Sequence, residues 1–242
     1  MSAKSLREFL QLLKKSPSGA VFNPWWQADG ENDVGRSAPR IRREQLHAYL
    51  QKRVGKASFA VIGEAVGYRG GHFSGVPMTS ERLLLGRNKE FRLKPNDFFS
   101  DINPRRTSKP EKRPDGFSEP TATIVWGTLL RLGLKPEQFV LWNAFPWHSF
   151  DSRRGMLSNR MPNKSERTAG LPVLKAFLEL FPCDQVVALG KIAAAQLEKL
   201  NVDAHCIRHP ASGGAKLFRQ QIAEIVQKSD LARCLDDCAC LV

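Results

Sequence analysis

The chain has 242 residues, of which 42% are hydrophobic and 25% charged, a composition typical of a folded globular protein. It carries 37 Lys and Arg against 24 Asp and Glu, so its formal net charge is +13. A surplus of this size indicates a polyanionic partner, either nucleic acid or an anionic membrane surface. No apolar run approaches the roughly 20 residues that span a bilayer, and charges throughout residues 1–15 argue against a secretory signal. We therefore expect a cytoplasmic protein with no membrane partner.

The five cysteines do not form the pattern of a disulfide framework, because their number is odd and they cluster late in the chain. Cys234, Cys238 and Cys240 lie in the C-terminal sequence CLDDCAC. These three residues have no CxxC pair and no neighbouring His that would complete a four-ligand metal set. We expect free thiols in a loose tail over residues 229–242, with no metal site and no cofactor.

The predicted elements begin with helices over residues 3–15 and 40–53, joined by a loop rich in turn residues. Four short apolar runs typical of buried strands follow, at 58–63, 138–143, 184–190 and 204–207. Helical patterns follow or separate these strands, at about 121–132, 166–180, 190–200 and 214–228. Alternating strands and helices predict an α/β fold with a parallel sheet, whose ligands bind beyond the carboxyl ends of the strands.

One segment, residues 87–120, interrupts this alternation. It is rich in proline, and its part from 87 to 113 contains nine Lys or Arg against four Asp or Glu. A long basic insertion of this kind is either a disordered loop or an arm that faces nucleic acid. We predict a single domain over residues 1–228 that carries this basic insertion.

Polar and glycine-rich sequences follow the predicted strands. The first strand leads into GEAVGYRGGHFSGVP at 63–77, whose five glycines allow tight turns and close approach to a ligand. It lacks the GxGxxG and GxxxxGK[ST] phosphate patterns. The second strand ends at Asn143, whose amide either ties down a neighbouring loop or reads the edge of a planar, amide-like ligand. The fourth leads to His209 and a Ser-Gly-Gly turn, which suits a helix N-terminus that binds a DNA phosphate.

Together, GEAVG at 63–67, LWNAF at 141–145 and HPASGG at 209–214 resemble the three motifs of the uracil-DNA glycosylase superfamily. The resemblance covers about residues 56–225, and SGVP at 74–77 is a further family feature. It implies a three-layer α/β/α sandwich around a central four-stranded parallel sheet. It also implies an enzyme that flips uracil out of single- or double-stranded DNA and hydrolyses the N-glycosidic bond, leaving an abasic site. We expect a monomer.

The resemblance also implies roles for individual residues. Asn143 would read the uracil edge, and His209 would stabilise the departing uracil anion as a neutral donor, with its tautomer fixed by a hydrogen-bond acceptor. Glu64 is the carboxylate nearest to the site of water activation. Further uracil contacts would come from Gly63, Ala65, Tyr68, Phe73 and Met78. Contacts with the DNA backbone would come from Ser212, Gly213, Gly214, Lys216 and Arg219.

Several positions depart from the family pattern. The Asp that activates water in the most active members is replaced by Ala65. The family's thymine-excluding Tyr corresponds to Gly67, next to Tyr68, and its uracil-stacking Phe corresponds to Met78, with Phe73 as a substitute. The chain has no Cys before residue 183, so we predict no iron–sulfur cluster.

The sequence also fits other functions. Within the enzymes, the chain could excise another deaminated base such as hypoxanthine or xanthine. Because Ala65 replaces the water-activating Asp, a binder of damaged or abasic DNA with little or no catalysis is a second alternative. A nucleotide-binding domain without a DNA role fits the net charge less well. His72 is a rival to His209, and we predict that Leu217 is a core residue of the last helix rather than a wedge in DNA.

Overall fold

The computed structural model of the protein describes residues 5–91 and 93–239, with side chains up to residue 229. The described strands are β1 (Val21–Phe22), β2 (Phe59–Ala65), β3 (Phe139–Phe145), β4 (His148–Ser149), β5 (Gln185–Leu189) and β6 (His205–Ile207). The described helices are α1 (Leu6–Leu12), α2 (Ala38–Gln51), α3 (Gly71–Ser74), α4 (Glu81–Leu84), α5 (Pro95–Phe98), α6 (Pro120–Arg131), α7 (Lys164–Leu180), α8 (Lys191–Glu198) and α9 (Ala215–Ala239).

A parallel four-stranded sheet in the order β3-β2-β5-β6 forms the centre of the fold. The strand β3 is buried along its whole length, as expected for a strand covered on both faces. Helices pack around the sheet, with α7 against β3, α8 against β5 and α9 against β6. The predicted α/β/α architecture is confirmed. Because all four strands run in one direction, the sequences that follow them meet at one edge of the sheet.

The N-terminal loop and the basic insertion are packed onto this sheet. Strand β1, which the sequence did not predict, pairs antiparallel with β4. Arg42 is fully buried and forms an ion pair with Asp33, in which Nη1 and Oδ1 are 2.7 Å apart. A fully buried Arg53 donates hydrogen bonds to the carbonyls of Tyr49, Asp97, Phe98 and Phe139, which ties α2 and the insertion to the sheet.

Of the two alternatives for residues 87–120, a disordered loop and an arm that faces nucleic acid, the first is contradicted for most of the segment. Phe98 and Phe99 are fully buried, and the backbone N–H groups of Thr107 and Ser108 donate to the Glu81 carboxylate. The physical reason is that aromatic residues and a buried acid anchor a segment whose overall charge is basic. Residues 110–115 of the insertion remain exposed.

The predicted end of the last helix at about residue 228 is wrong, because α9 continues through Ala239. The sequence after residue 228 keeps helix-forming residues and contains no Pro or Gly that would end the helix. Cys240 and the side chains of Cys234 and Cys238 lie outside the described part of the chain. Within that part, no helix is long and apolar enough to cross a bilayer.

Candidate active site

A cavity of about 380 Å³ lies at the carboxyl edge of the sheet and brings the three predicted motifs together. Its walls come from the loop after β2, the end of β3, the start of α6, the segment before α7 and the turn after β6. The lining residues are Gly63, Glu64, Ala65, Val66, Gly67, Met78, Glu119, Thr121, Asn143, Asn159, Arg160, Met161, His209 and Ala211. A larger groove of about 620 Å³ between α1 and α2 contains none of these residues.

Asn143 is positioned by its register partner on the neighbouring strand, Gly63. A Cβ atom at Gly63 would lie 2.7 Å from Asn143 Nδ2 and 3.0 Å from Met78 Sδ, so only glycine leaves room for both side chains. Asn143 is buried, and its Oδ1 atom has no hydrogen-bond partner among the described residues. Buried polar atoms are rarely unpaired. This oxygen is therefore an acceptor available to a ligand in the cavity.

Met78 closes the cavity beside Asn143 and has a strained backbone. Its φ is 46°, in the left-handed region that residues other than glycine rarely adopt. The residue is buried and lines the cavity. Strain of this kind persists only where the surroundings hold the residue in place, and it is concentrated at functional sites.

His209 lines the opposite wall, and one of its two ring nitrogens is already engaged. Nδ1 accepts a hydrogen bond from the backbone N–H of Ala211 at 3.1 Å, so Nε2 carries the proton of the neutral ring. Burial and the nearby Arg208 lower the pKa of His209, which favours this neutral form. We expected a hydrogen-bond acceptor to fix the tautomer of His209. This expectation is wrong, because the partner that fixes it is a donor, the backbone N–H of Ala211. A Cβ atom at Gly214 would overlap the His209 carbonyl oxygen, so the turn requires glycine there.

Two carboxylates line the cavity, and the sequence predicted one of them. Burial raises the pKa of Glu64, while the charge of Arg167 opposes this rise. The second is Glu119, at the N-terminus of α6, which was missed because it is far in sequence from all three motifs. Burial raises the pKa of Glu119 to about 7. Its only local signal is its position before Pro120, which predicts a helix start and not a site.

Tyr68, Phe73 and His72 do not line the cavity. Tyr68 lies outside it, with its backbone N–H donating to Asn159 Oδ1 and its hydroxyl accepting from Arg69. The short helix α3 turns Phe73 into the core, where its ring stacks on Phe117 with centroids 4.3 Å apart. His72 is fully buried, with Nδ1 3.0 Å from the Nδ1 atom of His148.

The segment after His209 reaches the protein surface next to the cavity. Ser212 and Gly213 have positive φ values of 52° and 77° and form the turn that precedes α9. Ser212, Gly213, Lys216 and Arg219 are exposed, whereas Gly214 is buried. Our expectation that Leu217 belongs to the core is wrong. Leu217 is 45% exposed, and its neighbour in α9, Phe218, enters the core instead.

No group of three or more His, Cys, Asp or Glu residues within the described ranges is arranged to hold a metal ion. Two of the residues that the sequence did not predict, Asn159 and Met161, form the rim of the cavity before α7. Met161 is 60% exposed, the largest exposure among the large hydrophobic side chains that the structure describes as exposed. An apolar side chain at the mouth of a polar cavity suits contact with a nucleobase or sugar.

Comparison with known proteins agrees with this geometry. A model of the uracil-DNA glycosylase superfamily matches residues 56–235. The crystal structure of wild-type SMUG2 from Pedobacter heparinus is similar in fold, with a TM-score of 0.59 and 13% sequence identity over 91% of this chain and 96% of that chain. A search of curated proteins finds no match.

The match to the family model extends over most of the chain, so the chain belongs to the uracil-DNA glycosylase superfamily. The resemblance drawn from the three motifs is thereby confirmed. Membership identifies the protein as a DNA glycosylase, a hydrolase whose partner is DNA. Members of this superfamily act on bases other than uracil as well, so membership alone does not identify the base that this protein excises.

Proposed function

We propose that the protein is a monofunctional uracil-DNA glycosylase, which hydrolyses the bond between C1′ of deoxyribose and N1 of uracil. The observation that carries this proposal is the unpaired, buried Oδ1 of Asn143, which shares a cavity with a neutral His209 whose Nε2 carries the proton. One group is suited to read the base, and the other is suited to stabilise it as it leaves.

Base recognition follows from the donor and acceptor pattern of the Asn143 amide. Oδ1 accepts from uracil N3–H, and Nδ2 donates to uracil O4. Cytosine presents the opposite pattern at this edge, with an acceptor at N3 and a donor at N4. Gly63 and Met78 hold the amide from one side, which limits the positions that it can adopt. With its amide held in this orientation, Asn143 would favour uracil over cytosine.

Departure of the base generates negative charge on uracil, and His209 counteracts it. As the C1′–N1 bond breaks, charge develops at uracil O2, and a preorganised N–H donor stabilises that charge. The lowered pKa of His209 keeps the ring neutral at physiological pH, so it donates one hydrogen bond without adding a charge. No lysine lines the cavity within the described part of the chain, so a Schiff base with the sugar has no amine to form it.

Access to the base requires that the nucleotide leaves the helical stack. Lys216 and Arg219 are exposed at the start of α9 and would hold phosphates, with the backbone N–H groups of Ser212 and Gly213 in the adjacent turn. Leu217, exposed between these two cations, would occupy the space that the flipped base leaves.

The test is a base-release assay with end-labelled oligonucleotides that contain one uracil, hypoxanthine or xanthine, as single strands and as duplexes. Alkali then cleaves the strand at each abasic site. We expect free uracil and an intact abasic strand that breaks only after alkali. Release of a purine base but not of uracil would assign another deaminated base. Binding without any release would show that the protein is a binder of damaged DNA, and cleavage without alkali would exclude a monofunctional enzyme.

A further inference from the structure

Glu119 lines the cavity from outside the three family motifs. It is the last residue before α6 and belongs to the end of the basic insertion. Its side chain lies against the glycine turn of the loop after β2. A Cβ atom at Gly67 would lie 3.2 Å from Glu119 Oε1, and a Cβ atom at Gly70 would overlap Oε2. The two glycines therefore leave the space that this carboxylate occupies.

Glu119 Oε2 is buried and has no hydrogen-bond partner among the described residues. The side chain does not cap its own helix, although it stands at the N-cap position. An unpaired, buried carboxylate oxygen is costly, and such groups persist where a ligand or a water molecule completes them. Burial is also the cause that raises the pKa of Glu119 to about 7, close to the value at which a general base works best at physiological pH.

Glu64 is less suited to the same task. Both residues are partly exposed, but Arg167 interacts favourably with the ionised form of Glu64. A cationic neighbour makes a carboxylate a weaker base. Ala65, which stands where the most active relatives have their water-activating Asp, has no group that can take a proton. The end of β2 thus has no carboxylate at the position of that Asp, and Glu119, just before α6, lies against the loop that follows β2.

We propose that Glu119 is the catalytic base that takes a proton from the attacking water in the hydrolysis proposed above, on which this inference rests. The C1′–N1 bond breaks with both electrons passing to uracil, and the water oxygen bonds to C1′. One proton of that water passes to the Glu119 carboxylate. Uracil leaves as an anion held by the neutral His209 and takes a proton from solvent on release, while Glu119 returns its proton to solvent.

The proposal fixes the direction of the pH dependence. Glu119 has to be ionised to accept a proton, so the single-turnover rate should rise as pH increases through about 7. The other titratable groups that line the cavity are Glu64 at the end of β2, Arg160 before α7 and His209 after β6. Arg160 is engaged by Glu166, with Nη2 and Oε1 2.6 Å apart. Burial and Arg208 lower the pKa of His209 from 6.5, which favours its neutral form near pH 7.

The experiment compares the full-length protein with Glu119→Gln, which keeps the shape of the side chain but cannot accept the proton. Single-turnover uracil release is measured from pH 5.5 to pH 9, together with binding of DNA that carries an uncleavable 2′-fluoro uracil nucleotide. The substitution should lower the rate at pH 8 about 100-fold, a typical contribution of a general base. It should also abolish the rise near pH 7 and leave binding unchanged. Glu111→Gln, an exposed change of the same charge in the insertion, should behave like the native protein.

Two further variants distinguish the loss of a catalytic base from a loss of folding. Formate should restore part of the rate of Glu119→Ala, since it supplies a small carboxylate to the vacated space, and Glu64→Gln should retain the rise near pH 7. If the native protein releases uracil and Glu119→Gln has the same rate and pH profile, the role of Glu119 as the base is overturned, while the proposed function stands. Loss of the rise in Glu64→Gln instead would assign the base to Glu64. A native protein that releases no uracil would overturn the proposed function and this inference with it.

Discussion

The side-chain amide of Asn143 lies directly against Gly63, its partner across the β2–β3 pair, so that a Cβ atom at position 63 would be 2.7 Å from Asn143 Nδ2. Strand pairing therefore does more than form the sheet. It sets the position of the group that we propose to read the base, and it makes that position dependent on a residue with no functional atoms of its own.

Replacing Gly63 with alanine should displace the Asn143 amide or Met78, because the new Cβ atom would come within 3.0 Å of both. A displacement of about 1 Å at a reacting site can lower a rate roughly 100-fold, so we expect a loss of that order in uracil excision. The measurement is the single-turnover rate, with circular dichroism to verify folding. Gly35→Ala is the matched control, since a Cβ atom there meets nothing within 4 Å. Equal rates for both variants would contradict the account.

Replacing His209 with alanine should lower the single-turnover rate by about two to three orders of magnitude, since one donor aimed at a developing anion contributes roughly 3–4 kcal/mol. Affinity for uncleavable uracil DNA should change much less, because the phosphate contacts remain. Measured together, rate and affinity separate catalysis from binding.

The comparison for His209 is His72→Ala. His72 is fully buried within hydrogen-bonding distance of Asp29, so its loss should lower the melting temperature and affect the rate only through folding. If His209→Ala excises uracil at the native rate, and His72→Ala is folded but does not excise it, then His72 is the residue that stabilises the leaving group.

Much of the fold could be predicted from the sequence, because four short apolar runs alternate with helical patterns and each run forms a strand of one parallel sheet. Asn143 and His209 could be predicted as site residues for a related reason. Asn143 lies near the carboxyl end of β3 and His209 two residues after β6, and the carboxyl ends of parallel strands converge. Local sequence determines both the strand and the residue that it presents.

Other parts of the site depend on contacts that local sequence does not encode. Glu119 reaches the cavity only because the insertion folds back onto the glycine turn that contains Gly70. Leu217 and Phe218 are neighbours, and one residue of helix rotates a side chain by about 100°, so the helical pattern did not decide which of them enters the core. Phe73 was predicted to contact the base, but α3 turns it toward Phe117.

The exposure of Leu217 predicts a difference between duplex and single-stranded substrates. Leu217→Ala should slow excision from duplex DNA roughly tenfold more than from single strands, because unstacking a base costs a few kcal/mol and only the duplex has a stack to refill. The measurement is the ratio of the two single-turnover rates. Val54→Ala, at another exposed apolar residue that lies outside the cavity, is the control. Identical ratios for both variants would argue against a wedge at position 217.

Glu119 should also make stability depend on pH. Its pKa is raised from 4.5 to about 7, so the folded state holds the proton more tightly than the unfolded state. The contribution of the protonated Glu119 carboxyl to the free energy of unfolding is therefore fully present below pH 4.5. It is lost as pH rises through about 7, by up to roughly 3 kcal/mol. Glu119→Gln lacks this loss, and we expect it to be about 1–3 kcal/mol more stable than the native protein at pH 8. Urea unfolding at pH 5 and pH 8 measures the free energy of unfolding of the native protein and of Glu119→Gln. An equal pH dependence in the two proteins would contradict burial of the carboxylate.

The central claim is that the Asn143 amide reads uracil, and substitution by aspartate tests it most directly. A carboxylate cannot donate to uracil O4, but it can accept from cytosine N4. The measurement is the ratio of single-turnover rates on matched single-stranded oligonucleotides that contain one uracil or one target cytosine. We predict that Asn143→Asp lowers this ratio by at least about tenfold, the value of one lost hydrogen bond of roughly 1.5 kcal/mol. An unchanged ratio, with native uracil excision by Asn143→Asp, would show that another residue reads the base.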